Sequence, residues 1–359
     1  MKQTQFSLIE ETVRSIVPCD TEWREKAKAR INTLTMPQWA LGRLLNVAVD
    51  LAGITRSLNP SIDRRAVVIM AGDHGVVSEG VSAYSNEVTV QMIHNFARGG
   101  AGINVLSEQA KARVVVVDVG VAGNLDDLVT TGAVISRRVG SGTQNIAKGP
   151  AMSREDAIRS IEVGIQMAKE LSPTTDLFAT GEMGIGNTTP SSAIVSVLCD
   201  IAPEFVTGCG TGIDEIKRVK KAQIIMRSLM TNCPDPADPI DVLSKIGGYE
   251  IGAIAGFILG CAAEKKPVLV DGFISTAAAL IAQSLCQLSA DYMIASHQSV
   301  EPGHIVAWAK LKKHPLLDLN LRLGEGTGAV LAMHLVEAAQ RILTRMATFE
   351  EAGVTGEKV

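Results

Sequence analysis

Six short apolar runs, most of them rich in β-branched residues, punctuate the chain, and each ends in a loop bearing glycine or polar residues. Val67 to Met70 runs into Ala71-Gly72-Asp73-His74-Gly75, and Val114 to Val117 into Asp118-Val119-Gly120. Leu177 to Ala179 leads into a glycine loop, and Phe205-Val206 into Thr207-Gly208-Cys209-Gly210-Thr211-Gly212. Val268 to Val270 ends in Asp271-Gly272-Phe273, and Tyr292 to Ala295 in Ser296-His297-Gln298-Ser299. Between these runs the pattern predicts helices over 87–96, 102–110, 153–171, 213–230, 248–263, 274–288 and 300–311, with another from Ala329 to about Ile342. Strands that read as continuous apolar runs are buried on both faces, and their alternation with helices predicts an α/β fold with a doubly wound, mainly parallel six-stranded sheet. In such sheets ligands bind beyond the carboxyl ends of the strands, which is where all six loops fall.

Residues 1–57 read as helical, with Pro37 separating a charged segment (22–30) from an apolar-periodic one (41–58). Residues 121–150 carry several glycines and little periodicity, which predicts a long excursion with a small hairpin. Pro234, Pro236 and Pro239 mark another loop.

At 359 residues the chain exceeds a usual domain of ~100–200, so one large domain with an appendage is expected. Hydrophobic residues make up 46% and aromatics 4%, with 33 glycines, a mix suited to close packing of small and branched side chains. The net charge of −4 argues against nucleic acid or an anionic membrane surface as a partner. The longest apolar run, 251–263, ends at Glu264-Lys265-Lys266 and is too short to span a bilayer. The six cysteines are scattered without a C-x-x-C pair, and the start does not resemble a secretory signal. Reduced, mostly buried thiols and a cytoplasmic location are therefore expected.

The chemistry concentrates in residues 181–190, Gly-Glu-Met-Gly-Ile-Gly-Asn-Thr-Thr-Pro. Glycines let the backbone approach a ligand, and Thr189-Pro190 reads as a helix start whose free amides and hydroxyls, with Thr188, suit a phosphate. Glu182 is unfavourable beside an anion unless it faces a cationic part of the ligand. The same loop is also compatible with an ordinary turn and a solvated Glu. Its spacing fits neither common nucleotide motif. Glu325, between Gly324 and Gly326, leaves room for a substrate to approach its carboxylate, or is an exposed acid in a turn. His74 and His297 lie on strand-end loops, and no metal-ligand spacing is present, so neither metal nor cofactor is expected.

Several motifs in order resemble the nicotinate mononucleotide:dimethylbenzimidazole phosphoribosyltransferases. They are Ala-Gly-Asp-His-Gly-Val at 71–76, the 181–190 loop, Gly-Cys-Gly-Thr-Gly-Ile-Asp at 208–214 and Asp-Val-Leu-Ser-Lys-Ile-Gly-Gly at 241–248. Val-Asp-Gly-Phe-Ile-Ser at 270–275, Ser-His-Gln-Ser at 296–299 and Arg-Leu-Gly-Glu-Gly-Thr-Gly-Ala at 322–329 complete the set. The resemblance implies a Rossmann-like large domain over 59–333 and a small helical domain from 1–58 plus 334–359. It also implies a dimer whose subunits help complete each other's sites. The implied reaction moves phosphoribosyl from nicotinate mononucleotide to the base that becomes the lower ligand of a cobamide.

By motif position, Glu325 corresponds to the family's catalytic base and Glu182 to its second acid. Gly184, Asn187, Thr188, Gly210, Lys221 and Ser299 fall in the neighbourhood that holds the ribose phosphate, with Lys220 an alternative to Lys221. Tyr84, Met92 and Leu323 fall in the base pocket. Tyr84 and Met92 stand where the family often has Ser and Gln, and the segment 36–44 also departs from the family pattern. A Gln-to-Met difference removes hydrogen-bonding groups and leaves an adaptable apolar wall. Relatives that use phenol or p-cresol as pairs of unlike subunits therefore supply an alternative reading, and a non-catalytic partner subunit a third. Retention of both acids argues against the third.

Overall fold

The structure, a computed structural model, describes residues 7–210 and 212–355. Residues 1–6 of the expected amino-terminal helix, Thr211 of the 208–214 motif and residues 356–359 lie outside the described set. Helices α1 (Leu8–Ser15), α2 (Thr21–Ile31) and α3 (Arg43–Thr55) precede β1 (Arg65–Gly72). There follow α4 (Glu87–Arg98), α5 (Gly102–Ala110), β2 (Ala112–Gly120), α6 (Asp126–Thr130), β3 (Ile135–Ser136), α7 (Arg154–Leu171) and β4 (Leu177–Met183). Next come α8 (Thr188–Cys199), α9 (Pro203–Val206), α10 (Glu215–Asn232), α11 (Pro239–Ile246), α12 (Tyr249–Ala263), β5 (Val268–Val270) and α13 (Phe273–Leu285). The chain finishes with β6 (Met293–Ala295), β7 (His297–Ser299), α14 (Pro302–Leu311), β8 (Leu317–Leu321) and α15 (Thr327–Arg345).

The main sheet is parallel throughout, in the order β3-β2-β1-β4-β5-β6. Alternate residues of each strand point to opposite faces, so β1 feeds two cores. Ala66, Val68 and Met70 pack with α7, α8, α12 and α13, while Val67, Ile69 and Ala71 pack with α3, α4, α5 and α15. Close packing needs small residues: a Cβ on Gly164 of α7 would lie 1.9 Å from the Ala253 carbonyl of α12. Winding proceeds from β1 outward through β2 to β3, then returns to β4 on the other side of β1. The carboxyl ends of β1 and β4 therefore flank the topological switch point, where a crevice opens in folds of this class.

Two expected elements are different. Phe205-Val206 is part of a one-turn helix started by Pro203, whose fixed φ suits the first helical position, and Phe205 is 67% exposed rather than buried in a sheet. The sixth strand is β3 instead, inside the 121–150 excursion. It pairs parallel to β2 through Val117↔Ile135 and Asp118↔Ser136, and no hairpin forms there. A separate two-stranded parallel sheet pairs β7, in the segment expected to be a loop, with β8, in a segment to which the pattern assigned no element. The helix after the glycine loop begins at Thr188 with Asn187 in the cap position, so Thr189 and Pro190 sit in its first turn. The cysteines are also more varied than expected: Cys19 and Cys261 are buried, Cys199 and Cys286 half-buried, and Cys209 and Cys233 exposed. No helix among the described residues is long and apolar enough to cross a membrane.

Candidate active site

A cleft of about 400 Å³ opens at the switch point. Its walls include the residues after β1 and β4, the start of α8, the loop after β5, the β7 end and the 322–325 turn. Of the residues singled out in the sequence, Tyr84, Met92, Glu182, Gly184, Asn187, Thr188, Gly210, Ser299, Leu323 and Glu325 all line it. Lys221 stands just behind: it is 1% exposed, and its Nζ donates to Thr188 Oγ1 at 2.6 Å. Lys220 is not part of the cleft wall; its Nζ would lie 3.9 Å from a Cβ built on Gly80.

Glu182 is the last residue but one of a strand of seven buried residues and is 7% exposed. Asn187 Nδ2 donates to its Oε2, and the Glu325 backbone N–H donates to its Oε1 at 3.3 Å. Glu325 is 5% exposed, and the amide of Ile103, at the start of α5, donates to its Oε2 at 3.1 Å. The turn that carries it is unusual: Gly324, Glu325 and Gly326 all have positive φ, at +85°, +63° and +93°. A Cβ on Gly324 would lie 2.2 Å from Glu182 Oε1, so only glycine lets this turn close over the second acid. Asp271, after β5, ties the turn down by accepting from the N–H groups of Gly326 at 3.2 Å and Ala329 at 2.9 Å. Its Oδ1 is also 3.7 Å from His297 Nδ1.

A family described as Phosphoribosyltransferase matches residues 16–354. The nicotinate-nucleotide–dimethylbenzimidazole phosphoribosyltransferase of Syntrophotalea carbinolica is 59% identical over 353 residues, covering 98% of this chain and all of that protein. The chain belongs to this phosphoribosyltransferase family. The same-named protein of Desulfotalea psychrophila is 53% identical, with 98% of this chain and 99% of that protein covered. Among solved structures, CobT from Thermus thermophilus superposes with a TM-score of 0.89 at 45% identity, covering 94% of this chain and 100% of that one.

In this phosphoribosyltransferase the protonation of the site follows from burial. Desolvation pushes Glu182 up to about 8 despite the Asn187 amide; the carboxylates of Asp271 and Glu250 add to the rise. Glu325 is raised for the same first reason, opposed by the Ile103 N–H and helped by Asp271. Lys221 is brought down to about 8 by burial, with Glu301 and Cys209 opposing. The cleft thus holds acids biased toward their neutral forms and an amine biased the same way. An incoming cation would favour the ionised acids, and an incoming anion would favour the charged amine. No group of three or more His, Cys, Asp or Glu residues suited to hold a metal ion occurs among the described residues.

Four titratable wall residues were not singled out as site residues in the sequence: Asp271, His297, Glu301 and Arg322. Each lies inside or next to a recognised motif. The signal that could have found Asp271 is its place immediately after a strand. Arg322 opens the 322–329 motif and could have been found from that place, whereas Glu301 carried no signal and reaches the cleft beside the pairing of β7 with β8, which places Ser299 opposite Leu321.

Proposed function

We propose that this enzyme transfers phosphoribosyl from nicotinate mononucleotide to dimethylbenzimidazole, giving nicotinate and the α-ribotide used as the lower ligand of a cobamide. Support comes from one contact above all: Glu182 and Glu325, 143 residues apart, share a single cleft and are joined by the 3.3 Å hydrogen bond. The relatives carry the name of this reaction over essentially the whole chain.

The pyridinium leaving group explains why the site needs no ion to stabilise the departing group. As the C1′–N bond breaks, its electron pair returns to the ring nitrogen and nicotinate leaves with a neutral ring. The unprotonated ring nitrogen of the acceptor forms the new C1′–N bond from the opposite face, inverting β to α, and the proton on the acceptor's other ring nitrogen passes to the Glu325 carboxylate. Burial suits Glu325 to this step, because a raised proton affinity makes it a stronger base. Glu182 faces the cationic sugar as positive charge grows on it, and the same charge draws its proton off. The amides and hydroxyls of Gly184, Asn187, Thr188, Gly210 and Ser299 hold the ribose phosphate, with Lys221 behind Thr188 supplying charge. Tyr84, Met92 and Leu323 form an adaptable wall for the flat acceptor.

Tyr84 and Leu323 are 53% and 61% exposed at the mouth, and Phe205 and Val300 are similarly open. These apolar groups support a dimer in which a second subunit covers the acceptor. The deciding experiment incubates the purified protein with nicotinate mononucleotide and a panel of benzimidazoles, purines and phenols, identifying ribosylated products by mass and the assembly by sedimentation. Dimethylbenzimidazole is the expected acceptor; product with a phenol alone, or none at all, would reject the reading.

A further inference from the structure

The cleft wall has an imbalance of charge. Glu182, Asp271, Glu301 and Glu325 line it, and Arg322 is the one Lys or Arg side chain among its described lining residues. Lys221 sits behind the wall, 1% exposed, with its Nζ hydrogen-bonded to Thr188 Oγ1. Glu301 is 6% exposed, and its Oε1 takes the Gly210 N–H at 2.9 Å, so one amide of the expected phosphate neighbourhood is already shared with a carboxylate. A phosphate entering this acid-lined space calls for a cation in the cleft wall itself, and Lys221 is not part of that wall.

Arg322 meets that need. It follows β8 directly, and β8 pairs with β7 so that Leu321 stands opposite Ser299, with the Val300 N–H donating to the Leu321 carbonyl at 3.4 Å. The register carries Arg322 to the Ser299–Glu301 side of the cleft. There it also lines an adjoining cavity with Gly208, Gly210 and Glu301. Its side chain is exposed and has no hydrogen-bond or ion-pair partner among the described residues. A guanidinium is charged at every working pH and offers a planar fork that matches phosphate oxygens.

We propose that Arg322 is a substrate-binding residue that takes the phosphate of the nucleotide between itself, Ser299 and the Gly210 loop. This rests on the nucleotide substrate named above. It makes Arg322 responsible for preferring a nucleotide over the corresponding nucleoside.

The test measures binding of nicotinate mononucleotide and of nicotinate riboside, which lacks only the phosphate, to wild type, R322Q and R322K by calorimetry. Thermal melting checks the fold of each variant, and transfer to dimethylbenzimidazole is assayed in parallel. R322Q should bind the mononucleotide about 10- to 100-fold more weakly and the riboside within about twofold of wild type, with R322K recovering part of the loss. Equal weakening for both ligands, or none for the mononucleotide, would overturn the assignment. If nicotinamide mononucleotide, which keeps the phosphate but lacks the carboxylate, escapes the loss, Arg322 reads the carboxylate and the phosphate assignment is wrong. A wild-type enzyme that binds and transfers while R322Q treats both ligands alike removes only Arg322. A wild type that binds neither ligand overturns the nucleotide reading and this assignment together.

Discussion

His74 Nε2 lies 2.7 Å from Glu250 Oε1, and neither side chain is more than 1% exposed. Burial works against a charged imidazole, yet the adjacent Glu250 carboxylate outweighs it, with Asp73 and Glu182 adding to the effect, and His74 ends up raised. The pair forms the floor beneath the glycine loop: a Cβ on Gly184 would come within 3.4 Å of His74 Nε2. Removing one member leaves the other buried without its partner. H74A should therefore destabilise the protein by roughly 3–5 kcal/mol, read from the midpoint of urea unfolding. The sign with pH follows from the raised value. The pair's contribution is fully present below the ordinary histidine pKa near 6.5 and is lost as pH rises through the raised one. The deficit of H74A should accordingly shrink in alkaline buffer.

Glu182 behaves in the opposite sense. Its carboxyl is held at about 8, well above the ordinary 4.5, so the fold penalises its ionised form. That penalty is absent below pH 4.5, grows as the unfolded chain ionises, and is complete above pH 8. E182Q should match wild type in melting temperature near pH 4 and exceed it at pH 8.5, while losing transfer activity. A lower melting temperature for E182Q at pH 8.5 would contradict the assigned environment.

For Glu325 the prediction is kinetic. E325Q should lower kcat by ~10² to 10⁴-fold with little change in binding of nicotinate mononucleotide, since general-base catalysis contributes about that much. Its backbone adds a second readout. At φ +63° a non-glycine residue is strained, at a cost on the order of 1–3 kcal/mol. E325G should abolish turnover yet melt no lower than E325Q.

Gly324 separates these roles. G324A keeps both acids but drives a methyl to 2.2 Å from Glu182 Oε1 at a φ of +85°. The turn must shift, and activity should fall by at least ~10²-fold, because an ångström of misplacement is enough. Near-normal kcat in G324A would mean that the two carboxylates need not be held together.

The parallel sheet could be read along the chain because β1, β2, β4, β5 and β6 are buried on both faces and leave continuous apolar runs such as Val67 to Met70. The two residues of β3 are too few to leave a pattern, and β7 is His-Gln-Ser, whose strand character comes only from its neighbour β8. Pro203 decided the Phe205-Val206 segment, and it stood in plain view. At the site, the glycine loops at 181–190 and 324–326 drew the eye to Glu182 and Glu325 without deciding between a site and an ordinary turn; it was the family resemblance that gave Glu182, Gly184, Gly210 and Glu325 their expected roles. Arg322 lay unread at the head of the motif that carries Glu325, and Glu301 sits at an ordinary helix start that the register between β7 and β8 brings to the cleft.

The two bonds from the Gly326 and Ala329 amides to Asp271 have a consequence for how the molecule is made. Asp271 precedes the two amides by 55 and 58 residues in the chain, so synthesis delivers the acid well before the donors that tie the turn to it. Those amides, and the Glu325 N–H that donates to Glu182, belong to the turn and to the carboxyl-terminal helix that follows it. Chains cut short before position 330 would be inert however well their sheet had formed.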